Sequence, residues 1–236
     1  DQSTGLAIST DSRMKFDGTD DSLSVPDSSD WEFGSGDFCI EAWVNVNENT
    51  STHTIWSTTN VDDNGGMFCN VGAAVGLYWY IGTGSGHIVL TAPALSAGRW
   101  YHVACVRSGT GSNETIIYVD GVSAATGTYT DDSQDAGANG FYVGDWPPNS
   151  WDLNGYVDEV RVSNVERYSG TFTPKGRGEA FEADANTKLL IHSDYTGGLG
   201  ADSSGNYNAF AVTNLDANDQ MIDTPTNNFA TLNPLN

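Results

Sequence analysis

The run Trp151-Asp152-Leu153-Asn154-Gly155-Tyr156-Val157-Asp158-Glu159-Val160-Arg161-Val162 constrains the fold more than any other stretch of the chain. Asn154-Gly155 predicts a turn, and the residues after it alternate across a pleat. Tyr156, Asp158, Val160 and Val162 fall on one face, and Val157, Glu159 and Arg161 on the other. Asp158 then shares its face with apolar neighbours. A carboxylate so placed is costly unless a hydrogen-bond donor, an arginine or a cation neutralises it. The same period of two runs through Asp37 to Val46, where Phe38, Ile40, Ala42 and Val44 oppose Cys39, Glu41, Trp43 and Asn45. Large groups on both sides place that strand in the middle of a sandwich, with its second face at least partly covered.

Further strands are predicted on either side of the Phe16-Asp17-Gly18-Thr19-Asp20-Asp21 turn and at 53–58, 66–71, 78–82, 87–91, 99–107, 114–119 and 141–144. Asp120-Gly121 lies between two β-type runs, so it predicts a two-residue hairpin whose central positions take positive φ. Residues 164–168 read as a single helical turn. No stretch sustains a helical period, which makes the chain all-β. After Pro174 the composition turns polar. The expected division is a sandwich over 1–175, a connector with two strands over 176–222 that closes it or begins a following unit, and a tail over 223–236. Leu6-Ala7-Ile8 would add an edge strand.

Lys and Arg total 9 against 31 Asp and Glu, a formal net charge of -22. Such a field repels nucleic acid and anionic lipid and attracts divalent cations. No apolar run reaches spanning length and no charged-then-apolar leader opens the sequence, so a soluble chain, mature or excised from a longer one, without membrane insertion is expected. Cys39, Cys69 and Cys105 all sit in strand-like runs. Three is odd, so at least one is free. They read as small buried side chains, with a Cys39–Cys105 bridge as the alternative.

Lys15 to Leu23 (KFDGTDDSL), Asp37 to Val44 (DFCIEAWV), Gly98 to Ala104 (GRWYHVA), Tyr118 to Gly121 (YVDG) and the 151–162 run together resemble the laminin-G-like branch of the concanavalin A-like lectin/glucanase superfamily. The resemblance implies a two-sheet jelly-roll sandwich. It also implies a structural calcium ion joining the early turn to the late strand through Asp17, Asp20 and Asp158. The competing reading pairs Asp158 with backbone amides, Arg13 or Arg161 and leaves the other two as turn formers. Residues 222–235 resemble a junction found in tail-fibre-like phage proteins.

A glycan site needs exposed aromatic rings, and Trp79, Trp146 and Trp151 are the candidates, with core packing as the alternative for each. Trp43 and Trp100 are assigned to the core. Glucanases of the superfamily carry catalytic carboxylates two to four residues apart on one strand face. Asp158 and Glu159 are adjacent and so point to opposite faces, and no serine sits in a nucleophile elbow, so no enzyme is expected. Asn49 and Asn113 open glycosylation-acceptor triplets, which matter only in a eukaryotic secretory route. The functional expectation is a non-catalytic virion-surface or tail-fibre adhesion module, a homo-oligomer contacting other virion subunits and cell-surface glycan. The alternatives are a purely architectural capsid-decoration or fibre subunit, and a secreted bacterial carbohydrate-binding or adhesion module.

Overall fold

The computed structural model describes residues 12–58, 66–72, 74–83, 86–130, 140–149, 151–193 and 200–222. Fifteen strands run through these residues. They are β1 (Ser12–Asp17), β2 (Ser22–Val25), β3 (Phe38–Val46), β4 (His53–Thr58), β5 (Met67–Gly72), β6 (Gly76–Gly82), β7 (His87–Ala92) and β8 (Tyr101–Arg107), then β9 (Thr115–Val119), β10 (Val122–Gly127), β11 (Phe141–Val143), β12 (Asn154–Ser163), β13 (Thr187–Ile191), β14 (Ala211–Thr213) and β15 (Gln220–Ile222). They form two antiparallel sheets. One has eight strands in the order β10-β9-β8-β3-β12-β1-β15 with β13 also on β12, and the other seven in the order β14-β2-β11-β4-β5-β6-β7. This is the expected all-β two-sheet sandwich. The strands of 187–222 hydrogen-bond into both of its sheets, β13 to β12, β14 to β2 and β15 to β1. Leu6-Ala7-Ile8 and the tail 223–236 lie outside the described residues.

Alternation supplies the core from both inner faces. Phe16, Phe38, Trp56, Trp79, Phe141 and Val157 are all buried in it, and Trp79 meets Phe38 edge-on at 5.7 Å. Cys39, Cys69 and Cys105 are free and buried. Cys105 faces the core and Cys39 the opposite side of the same sheet, because Cys105 stands across from Ile40 and Cys39 from Val106. A Cys39–Cys105 bridge is therefore excluded by strand geometry. Asp120 and Gly121 take φ 49° and 78°, the left-handed pair that the hairpin requires.

Three local expectations fail. Asn154-Gly155 is not a turn but the start of β12. The glycine is needed because a Cβ there would lie 2.3 Å from the Asn45 carbonyl oxygen of β3. Residues 164–165 form a bend and 166–168 are irregular, not a helical turn, and the one helical element among the described residues is a short 3-10 turn at Ser29–Trp31. Trp43 and Trp100 are half-buried on the outer face of the eight-stranded sheet, Trp43 beside His102 and Trp100 beneath the Arg177 guanidinium.

The alternation in β12 also breaks. Its pairing with β3 shifts between Asp158 and Arg161, and Glu159 sits at φ 52°, so one residue is inserted there as a β-bulge. The insertion reverses the phase. Val157, Val160 and Val162 all enter the core, while Arg161 points outward to Glu41. The bulge lies where β12 changes partner, from β1 at 154–157 to β13 at 160–163.

Candidate functional site

The two outer faces are built differently. Over the eight-stranded sheet the chain from 164 to 182 folds back as a cover. Tyr168 and Phe172 stack at 3.5 Å, Phe172 N donates to Gly121 O, and Phe181 lies under the Arg161 guanidinium. Beneath it Glu41 is fully buried, accepting from Arg161 Nε at 2.8 Å and Nη2 at 2.6 Å, from Tyr168 Oη at 2.7 Å, and pairing with His102 Nε2 at 2.9 Å. Burial alone would raise the Glu41 pKa, but the His102 hydrogen bond and the Arg161 charge outweigh it and hold the carboxyl below its ordinary value. The same burial, with Glu41 beside it, pushes the Tyr168 phenol up.

All nine basic side chains belong to this layer or to the chain that flanks it. Arg13 and Lys15 are on β1, Arg107 ends β8, Arg161 is on β12 and Lys188 is on β13, while Arg99, Arg167, Lys175 and Arg177 lie in the connecting segments. Most are held in ion pairs, such as Arg167–Asp184 at 2.8 Å and Arg99–Asp120 at 2.7 Å.

The outer face of the seven-stranded sheet carries aromatic and hydroxyl groups instead. Strand register aligns Ser24, Tyr142, Ser57, Phe68, Tyr80 and Val89 in one row across six strands. Residues 145–149 and 151–152 lie against this face, anchored by Ser57 Oγ donating to Asp145 O at 2.7 Å and Thr54 N donating to Trp151 O at 2.7 Å. The two tryptophans of this loop land on the row. Phe68 stacks on Tyr80 at 4.6 Å and meets Trp146 at 4.3 Å, and Trp146 meets Trp151 at 4.8 Å. Tyr80 stacks in turn on the exposed His87 at 4.7 Å. Within this cluster Trp146 Nε1, Asn70 Oδ1 and Thr54 Oγ1 are buried without a hydrogen-bond partner among the described residues.

The same loop has an acidic side. Asp145 and Asp152, with Asp20, Ser24, Tyr142 and Thr213, line a cleft of about 460 Å³. Burial raises the Asp145 pKa to about 6, helped by the neighbouring Asp152 charge, and Asp152 is itself raised by burial and by Asp20 and Asp17. Next to the cleft, carboxylate oxygens of Asp17, Asp20 and Asp21 lie within 4.8 Å of one another. Asp21 is buried and accepts from Asp17 N at 2.8 Å, and burial followed by the Asp17 charge raises its pKa.

Of the six residues singled out in the sequence, four fall at this end of the molecule. Asp17 and Asp20 come together, and Trp146 and Trp151 join the aromatic cluster. Trp79 does not, because it points inward and is fully buried, so no sugar can stack on it from solvent. Asp158 does not join Asp17 either. Asn154 stands opposite Asp17, and Asp158 is four residues further along the strand, roughly 13 Å away. Its neutralising partner is Arg177 at 3.6 Å, together with the Glu159 amide at 2.9 Å. Neither Arg13 nor Arg161 nor a shared ion is needed. Sequence reasoning missed Asp21, Asp145 and Asp152 as site residues, although Asp21 stood inside a quoted motif, and it missed Phe68, whose alternation within β5 was the available signal.

A family model for the concanavalin A-like lectin/glucanases superfamily matches residues 17–169, more than half of the chain. The chain belongs to this superfamily. A comparison with curated protein sequences finds no match. Among solved structures, one similar superfamily fold is a Bacteroides ovatus protein whose name proposes carbohydrate binding. It is 24% identical with a TM-score of 0.61, over 89% of this chain and 61% of that one, so the chain spans less than two thirds of its length. Another is the heptameric pentraxin of Limulus polyphemus, at 15% identity and a TM-score of 0.51, over 86% of this chain and 95% of that one. A third is the NanB sialidase of Streptococcus pneumoniae, at 13% identity and a TM-score of 0.53, over 66% of this chain and 26% of that one. At these identities the likeness is one of fold.

Proposed function

We propose that the chain is a non-catalytic carbohydrate-binding or adhesion module whose site is the outer face of the seven-stranded sheet. The observation that carries this reading is the aromatic cluster on the outer face, in which the buried Phe68 and Trp146 back the half-exposed rings of Tyr80 and Trp151. Sugar rings stack on aromatic faces and their hydroxyls both donate and accept, so the half-exposed Tyr80 and Trp151, with Ser24 and Tyr142 on the same face, suit a saccharide. The superfamily membership and the name of the B. ovatus protein point the same way.

Of the settings weighed from the sequence, these likenesses favour the secreted bacterial module. The run at 222–235 that suggested a virion lies beyond the matched residues. Among the described residues no helix is long and apolar enough to cross a membrane. Because β13, β14 and β15 pair into the two sheets, we further propose one structural unit across 12–222. A structural calcium ion fits Asp17, Asp20 and Asp21, whose clustered carboxylates are the hard oxygen donors it takes, with Asp21 in the place the sequence gave to Asp158.

A glycan array with the purified chain tests the reading. Reproducible hits that vanish in Trp151→Ala and Tyr80→Ala, with melting temperature kept, support it; silence across the array overturns it. The Asp145–Asp152 carboxyl pair gives hydrolysis one specific observation in its favour, since a carboxyl poised near pH 6 suits a general acid. Release of reducing ends from any glycan the array identifies would make the chain an enzyme, and an unchanged glycan would leave it a binder.

A further inference from the structure

We infer that the outer face of the seven-stranded sheet selects neutral saccharides and rejects carboxylated or sulfated ones. This rests on the glycan reading above and names the class of ligand within it. The observation is the segregation of charge between the two layers. All nine lysines and arginines lie among the described residues, and none is on β2, β4, β5, β6, β7, β11, β14 or the loop 145–152. An anionic sugar on this face would meet no guanidinium or ammonium group, the donors that recognise carboxylate and sulfate. It would meet Asp20, Asp145 and Asp152 in the adjoining cleft instead.

Reassignment of distant basic groups cannot remedy this. Arg161 is held by Glu41 and Arg177 by Asp158 on the other side, and Arg107 is fully buried, its guanidinium over Tyr129 and donating to Gly34 O. The sandwich core, with Trp56 and Trp79 inside it, stands between. Stacking and hydroxyl contacts are indifferent to a ligand's charge, so the field of the cleft decides between otherwise matched sugars. Three like charges at about 10 Å amount to roughly ten-fold in affinity at low salt, an effect that screening shrinks as ionic strength rises.

The experiment titrates matched pairs by calorimetry, galacto-oligosaccharide against oligogalacturonate and lactose against sialyllactose, at low and high salt, each with calcium and with chelator. The expected result is that the neutral member of whichever pair binds is tighter by roughly ten-fold at low salt, with the gap closing at high salt. Equal or tighter binding of the anionic member at low salt overturns the inference while leaving glycan binding intact. Silence from neutral and anionic members alike, here and across the array, overturns the glycan reading itself. Two variants sharpen the result, with melting temperature as the control for folding. The double change Asp145→Asn with Asp152→Asn should narrow the gap, and Ser24→Lys should reverse it by placing a cation on the aromatic row. A gap unmoved by both overturns the electrostatic cause.

Discussion

The two outer faces of the sandwich show how one strand pattern serves opposite ends. On the eight-stranded sheet the outward residues of β3, β8 and β12 are Glu41, His102 and Arg161, ionisable groups that become one buried network once the chain from 164 to 182 closes over them. On the seven-stranded sheet the outward residues include Ser24, Tyr142 and Tyr80, which keep solvent access, and Phe68, which is buried under the tryptophans gathered from a loop. A covered face can hold charges because every one finds a partner. The open face carries rings and hydroxyls, which suits a surface completed by a ligand. The difference teaches that burial on the outside of a sandwich is set by what folds back over it, not by the sheet.

That contrast can be broken most directly at Glu41. Glu41→Ala leaves the Arg161 charge buried without its partner, and a loss of about 3–5 kcal/mol is expected in denaturant unfolding. A loss under about 1 kcal/mol would mean that the cover does not bury the network in solution. A cation at the acidic end should stabilise the other side. Calcium at a hundred times its dissociation constant is expected to add about 2.7 kcal/mol, seen as a rise of several degrees in melting temperature that Asp17→Asn with Asp20→Asn abolishes. Asp158→Asn should leave the calcium response in place, since Asp158 belongs to the covered layer. On the open face Trp151→Ala should cost about ten-fold in affinity for a bound glycan, near 1.4 kcal/mol, while moving stability by less than that.

The smallest expected effect is a pH dependence. Asp145 has a folded pKa of about 6 against an ordinary 3.8, so between those values the folded state holds a proton that the unfolded state has released. Its contribution is therefore unfavourable and grows as pH rises through this window, reaching its full size above about 6. Asp145→Asn should remove it, gaining about 1 kcal/mol relative to the parent at neutral pH once screening of a half-exposed group is allowed for, and nothing near pH 3. Glu41 has the opposite sign. Its lowered pKa contributes stability above its ordinary value of 4.5 that is lost as pH falls below it, so acid should loosen the covered face while relieving the open one.

Much of the architecture was legible because alternation is local. β3 to β9 and the Asp120-Gly121 hairpin follow from residues within a few positions of one another, and φ preference and side-chain phase need nothing more. Asn154-Gly155 shows where that logic stops. The pair carries a turn signal, yet Gly155 serves the close approach of β3, a strand more than a hundred residues away. The site was legible in part. Trp146 and Trp151 flank a short loop and could be paired by eye, and Asp17 and Asp20 share a turn. Trp79 could not be told from its neighbour Tyr80, because which side of β6 faces the core depends on the partner sheet.

By itself the sequence determined an all-β sandwich, an acidic field hostile to polyanions, and a set of aromatic and carboxylate residues from which a site would be drawn. Only the tertiary structure decided which of them meet. A single inserted residue at Glu159 reversed the phase of β12, and the segment folding back from 164 supplied Arg177, so the carboxylate of Asp158 found its counter-charge on the covered side instead of at the acidic end. The physical reason is that a strand's period fixes only relative facing. Absolute facing, and with it burial and charge pairing, belongs to whichever distant segment arrives to cover it.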